Sequence, residues 1–187
     1  MRDQIIKLTD PGMKIAFKII IPFLILLVSC GDDSDVIEYE PYNGPLRILT
    51  NAVIEHSDSA IIRGKLITAE LHEFASGDRE LPKGGYVEFY DKQGIKTGSL
   101  RSDYAYYTKD TDSWKVEGNV QLKNAESGET LFTEELFWMP AEGNVHTEKF
   151  VRIETDDQIL TGVGLTAKQD FSRYVIKNPQ GTFNLDE

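Results

Sequence analysis

The chain has 187 residues, 31 acidic and 20 basic, and a net charge of −11. That length suits one domain with a real core or two very small ones, and so acidic a surface repels phosphate backbones, which argues against a nucleic-acid partner. A single cysteine excludes an internal disulfide and a structural zinc site.

The charge is uneven along the chain. Arg2, Lys7, Lys14, Lys18, Asp3 and Asp10 are the charged residues before Cys30, so the chain from Cys30 onward carries 16 basic and 29 acidic residues, a net −13. An anionic partner of that domain is expected to be held through its apolar part.

Residues 19–28, IIIPFLILLV, are uninterruptedly apolar. A bilayer-spanning helix needs about 20 such residues, so the run is too short to span. Behind a basic start it reads as the core of a secretory signal. Met13 to Lys18 makes a more compact basic start than the full N-terminus, which puts the expected translation start at Met13. Leu27-Val28-Ser29-Cys30 reads as a lipobox, with residues 1–29 removed and Cys30 acylated as the mature N-terminus. The alternatives are an ordinary signal peptide that happens to end at a cysteine, or a short anchor that is never cleaved. Two or more acyl chains hold a protein stably on a membrane. Residues 30–43 then form an acidic, solvated tether in which Asp32, Asp33 and Asp35 could also serve as a sorting signal.

From residue 44 to 187 the pattern is short alternating segments divided by turn residues. Leu46, Ile48, Ala52 and Ile54 have the period of two of a half-buried strand, and Ala60, Ile62, Gly64 and Leu66 continue it after a Ser-Asp-Ser turn. Residues 65–75 fit a short amphipathic helix or a strand. Val87 and Phe89 form the next segment, then Trp114, Val116, Gly118, Val120 and Leu122, the cleanest alternation in the chain. Leu131 and Thr133 lie on one parity and Leu136 and Trp138 on the other, which predicts a bulge near Glu134 and Glu135. Val151 with Ile153, residues 159–165, and Tyr174 with Ile176 complete the set. Turns every eight to twelve residues and β-branched or aromatic filling point to an all-β sandwich, jelly roll or open barrel.

Chemistry is sparse. His56, His72 and His146 have no metal-binding spacing, and no serine sits in a Gly-x-Ser-x-Gly elbow. Glu134-Glu135 and Asp156-Asp157 are adjacent pairs, and neighbours in a strand point to opposite faces, so neither converges as a dyad. Gly162-x-Gly164 lacks a following helix, so it reads as a bulge or close backbone approach rather than a phosphate loop. No enzyme activity, cofactor or metal is expected.

Gly118-Asn119-Val120-x-Leu122, Gly128-Glu129-x-Leu131-x-Thr133-x-x-Leu136-x-Trp138 and Thr147-x-x-x-Val151-x-Ile153 resemble the OstA-type signature of lipopolysaccharide-export proteins. Leu160 to Leu165 with Ala167, then Phe171-x-x-Tyr174, resemble the C-terminal part of the LptC family within that group. The resemblance spans about 44–183. It implies a β-jelly roll, two antiparallel sheets in an open V, whose groove shields the acyl chains of lipopolysaccharide. It further implies edge-strand partners: the periplasmic jelly rolls of an inner-membrane ABC transporter on one side and an LptA-like bridge on the other, the bridge meeting the edge around 159–183. ATP would be hydrolysed by another subunit. The apolar parity sets give Ile48, Ile62, Leu66, Val87, Phe89, Leu100, Val116, Val120, Leu122, Leu131, Leu136, Trp138, Val151, Ile153 and Leu165 as candidate lipid-lining residues, which would equally fill any β core. Familiar family members carry an N-terminal transmembrane helix where this chain has Cys30. The expected location is therefore the periplasmic side of the inner membrane as a lipoprotein, with an outer-membrane or surface lipoprotein as the alternative.

Acylation has a direct test. Cys30→Ser is expected to abolish incorporation of labelled palmitate and to leave the precursor uncleaved, read by autoradiography and a shift on gels.

Overall fold

The computed structural model describes residues 40–184, so the expected signal segment, Cys30 and most of the acidic tether lie outside the described residues. Eleven strands carry the fold: β1 (Arg47–Asp58), β2 (Ile61–Glu73), β3 (Arg79–Leu81), β4 (Gly85–Tyr90), β5 (Lys96–Ser102), β6 (Tyr104–Thr108), β7 (Ser113–Asn124), β8 (Thr130–Met139), β9 (Asn144–Glu154), β10 (Gln158–Lys168) and β11 (Tyr174–Asn184). The 65–75 stretch, open between helix and strand on its spacing alone, belongs to β2 as far as Glu73.

All pairings are antiparallel and join a single sheet, ordered β11-β10-β9-β8-β7-β5-β4-β2-β3-β6, with β1 on the free side of β2. β3 and β4 are two halves of one interrupted strand, and so are β5 and β6, because β3 pairs with β6 while β4 pairs with β5. The chain is thus an up-and-down meander with β1 and β11 as its two edges. Tight turns enforce it: Ser59 and Ala60 both take positive φ between β1 and β2, as a two-residue hairpin matched to the strand twist requires. The Asp91 carboxylate accepts from the N–H groups of Gln93 and Ile95, both at 2.8 Å, to shape the β4–β5 turn.

Most strands are creased near their middles. Register slips fall between Glu117 and Val120, between Thr133 and Phe137, and between Val163 and Leu165. The bulge expected near Glu134 and Glu135 is the second of these, and Gly164, at φ +78, sits in the third. In β7 the crease is Gly118 (φ +75) and Asn119 (φ +46), a left-handed pair that only glycine and asparagine adopt at little cost. The break between β5 and β6 fits against it: the Asp103 N–H donates to the carbonyl of Gly118 at 3.0 Å, and its carboxylate accepts from Asn119 Nδ2 at 2.5 Å. Gly84 marks the break between β3 and β4, where any Cβ would overlap the Ser102 carbonyl.

Creasing releases backbone groups inside the protein, and buried threonines take them up. Thr133 Oγ1 donates to the Phe150 carbonyl at 2.8 Å, Thr68 Oγ1 to the Gly84 carbonyl at 2.8 Å, and Thr147 Oγ1 accepts from the Lys149 N–H at 3.0 Å. On either side of the crease, cross-strand partners align in inward-facing rows. One leaf carries Leu66, Val87, Leu100, Leu122, Leu131 and Ile153; the other carries Leu81, Ala105, Val116, Leu136 and Leu165. The leaves face each other, since Phe89 of the first meets Trp138 of the second edge-on, with ring centres 5.3 Å apart. An antiparallel sheet doubled over one apolar interior is the β-jelly roll that the sequence implied.

The threonines give this account a test. Thr133→Val keeps the shape and leaves the Phe150 carbonyl unpaired, and is expected to cost about 1–3 kcal/mol in urea unfolding. Thr97→Val, which gives up only a 3.4 Å contact, serves as the milder control.

Candidate apolar binding groove

Between the leaves, the stretch spanned by β1 to β8 is not filled. A cavity of about 160 Å³ opens there, lined on one leaf by Leu66, Val87 and Leu100 and on the other by Leu81, Val116 and Trp138. Apolar cavities of about 150 Å³ stay dry and accept apolar guests of benzene size. Towards the C-terminal end the interior is packed with fully buried side chains. In the β10–β11 turn Phe171 is fully buried at φ +56 and stacks on Tyr174 at 4.7 Å, while the Asp170 carbonyl accepts from Asn124 Nδ2 at 3.0 Å. That turn seals the interior at its C-terminal end.

An aromatic rim borders the cavity. Tyr107 packs on Trp114 at 5.1 Å, Trp114 stacks on Trp138 at 6.4 Å, and Trp138 Nε1 donates to Gln169 Oε1 at 3.0 Å. These rings follow from register, since Arg79 pairs with Tyr107, Tyr107 with Trp114, and Trp114 with Trp138 across successive strands. Both tryptophans of the chain therefore line the cavity.

The structure brings most of the sequence-nominated residues into this interior. Phe89, Leu100, Val116, Val120, Leu122, Leu131, Leu136, Val151, Ile153 and Leu165 are buried in one cluster, with Leu66, Val87 and Trp138 half-buried against it. Leu66, Val87, Leu100, Val116 and Trp138 are the members that line the cavity. Ile48 does not join them: it is 53% exposed on the edge strand, and its neighbour Leu49 packs on the core instead. Asn51, at φ +50, stands between Ile48 and the even-numbered Ala52 and Ile54, and the buried side of β2 changes correspondingly from Thr68 to Leu71. Ile62, 37% exposed, lies beyond Gly64, the last residue of β2 paired with β4. Sequence reasoning missed Leu71, Leu81, Ala105, Val145, Ala167 and Phe171. Leu81 precedes Pro82, Ala105 follows the break at Asp103, Val145 follows a turn and Phe171 lies in one, and alternation carries no signal at such places.

The outward face holds the polar groups. His72 sits between Glu70 (2.7 Å) and Glu80 (3.3 Å), and Glu80 also accepts from Tyr104 at 2.9 Å. Lys83, at 2.6 Å, and then His72 hold the Glu70 carboxyl below its ordinary range. Of the adjacent acidic pairs, Glu135 meets Lys115 at 3.1 Å while Glu134, Asp156 and Asp157 are exposed, so neither pair converges.

An antiparallel jelly roll with an apolar cleft between its leaves is an architecture suited to shielding an apolar ligand from water. The model of the LptC-related lipopolysaccharide-assembly family matches residues 76–179, from the β2–β3 turn into β11. The match covers more than half of the chain, and the protein belongs to that family, which ties it to lipopolysaccharide transport in the cell envelope. β1 and β2 lie outside the matched stretch. No curated protein sequence matches the chain.

Burial, then the bond to Glu80, pushes the Tyr104 phenol up to about 12 from an ordinary 10.0. Its neutral form is favoured in the folded state, so its contribution is complete below pH 10 and is lost as pH rises towards 12. Tyr104→Phe is expected to flatten that window specifically: the gap in melting temperature between wild type and variant should narrow between pH 10 and 12.

Proposed function

We propose that this protein is a non-catalytic lipid-transfer scaffold of lipopolysaccharide export, holding acyl chains between its leaves on their way from the inner-membrane ABC transporter to an LptA-like bridge. The observation that carries this reading is the cleft itself: an apolar cavity, rimmed by aromatic rings, beside a packed core. Burial of an acyl chain there would contribute about 0.8 kcal/mol per methylene.

The two edges supply the docking logic. β1 and β11 each present unpaired backbone groups, and an exposed edge recruits a strand from a partner. In this reading β11 meets the bridge and β1 meets the transporter's periplasmic jelly rolls. Pro179 offers no N–H and adjoins a register slip in β11, which confines strand addition to Tyr174–Asn178. Acylated Cys30 would tether the domain to the periplasmic side of the inner membrane.

A second reading, a binding or structural lipoprotein of the outer membrane or cell surface, is favoured by Asp32, Asp33 and Asp35 directly behind Cys30. Digestion of the protein on intact cells would select that reading.

A photocrosslinking residue at Val87 or Leu66 is expected to capture lipopolysaccharide in membranes only when ATP is supplied. Capture of equal yield without ATP, or none at either position, overturns the transfer role. Positions such as Leu136 and Val120 suit this poorly because they are fully packed.

A further inference from the structure

The chain carries 31 acidic and 20 basic residues, yet no carboxylate is among the cavity's lining, which includes Arg79 and Lys65. That local inversion runs against the repulsion expected from net charge. Charges more than about 8 Å away are largely screened at physiological salt, so the groups at the mouth decide what can sit there.

Arg79 is the best placed of them. It stands at the start of the rim row, its guanidinium 5.6 Å from the centre of the Tyr107 ring and 3.5 Å from the Glu73 carboxylate. Glu73 is at the same time held by Arg47, whose Nε reaches it at 2.6 Å, so one carboxylate is shared between two guanidinium groups. No side-chain hydrogen bond of Arg79 closes its fork among the described residues. Lys65, by contrast, lies on the parity opposite Leu66, between its cross-strand partners Glu55 (3.7 Å) and Glu88. A planar guanidinium with free donors beside an apolar cleft suits a phosphate or carboxylate head, which it can bind in bidentate fashion.

We infer that the mouth of the groove reads the anionic head of its amphiphile, with Arg79 as the specificity residue. This rests on the groove being an acyl-chain site, and it adds that the chain is accepted preferentially when it bears a phosphorylated head.

Because both tryptophans line the cavity, their emission reports occupancy. The test titrates the purified full chain with diphosphorylated lipid A, with the same lipid stripped of both phosphates, and with inorganic phosphate alone. Wild type is expected to bind the phosphorylated lipid about tenfold more tightly, the scale of one charge-assisted hydrogen bond, and to show no response to inorganic phosphate. Arg79→Gln should lose that preference while binding the stripped lipid as before, which also shows that the variant is folded, and Arg79→Lys should keep part of it. Equal wild-type affinity for the two lipids, an undiminished preference in Arg79→Gln, or a response to inorganic phosphate alone overturns the inference. Equal affinity leaves the acyl-chain reading standing. Silence from both lipids overturns the acyl-chain reading, and this inference with it.

Discussion

A sheet that bends across its own strands must interrupt its hydrogen-bond ladder on each strand it creases, and the interrupted groups here face an apolar interior. An unpaired buried backbone carbonyl costs about 1–3 kcal/mol, so several of them would erase the stability of a domain this size. The rest of the structure depends on how those groups are satisfied. Thr68, Thr133 and Thr147 turn their hydroxyls onto the freed carbonyls and N–H groups, while Asp103 caps the widest break through its own N–H and carboxylate. With these partners in place, two leaves of one sheet can face each other and present their apolar rows inward.

The doubled sheet is not uniformly closed. At the C-terminal end the β10–β11 turn drives Phe171 into the interior, and Asp170 ties the turn to Asn124 across the leaves. Towards β1 and β2 no such plug exists among the described residues, and a cleft remains. A protein that only needed stability would gain by filling it, since cavities in a core are costly. Retaining an apolar void beside an aromatic rim is consistent with the family's connection to lipid. The same geometry bears on how an acidic domain could accept an anionic amphiphile: no carboxylate is among the residues that line the cleft, whereas Arg79 is.

Much of this was legible in the residues. Alternation located most of the long strands, and the parity change between Thr133 and Leu136 located one crease before any coordinates. The Gly162-x-Gly164 pair was read correctly as local backbone geometry: a Cβ at Gly162 would overlap Ile176 and Asn178, and Gly164 carries the slip in β10. Alternation failed where it had to. Ile48 was placed inside because parity was extended through Asn51, whose left-handed conformation reverses which side faces the core. Phe171 was not nominated as core because it lies in a turn, and a turn residue becomes core only when the fold brings another strand beneath it.

The sequence by itself determined the all-antiparallel architecture, the family and most of the inward-facing residues, because a period of two and glycine-marked bulges are local properties of the chain. Only the tertiary structure decided which of those residues border open space and which are packed solid, and that Arg79 stands at the opening. Those facts arise from pairings between residues tens of positions apart, such as Arg79 with Tyr107 and Trp114 with Trp138, and no local pattern encodes them.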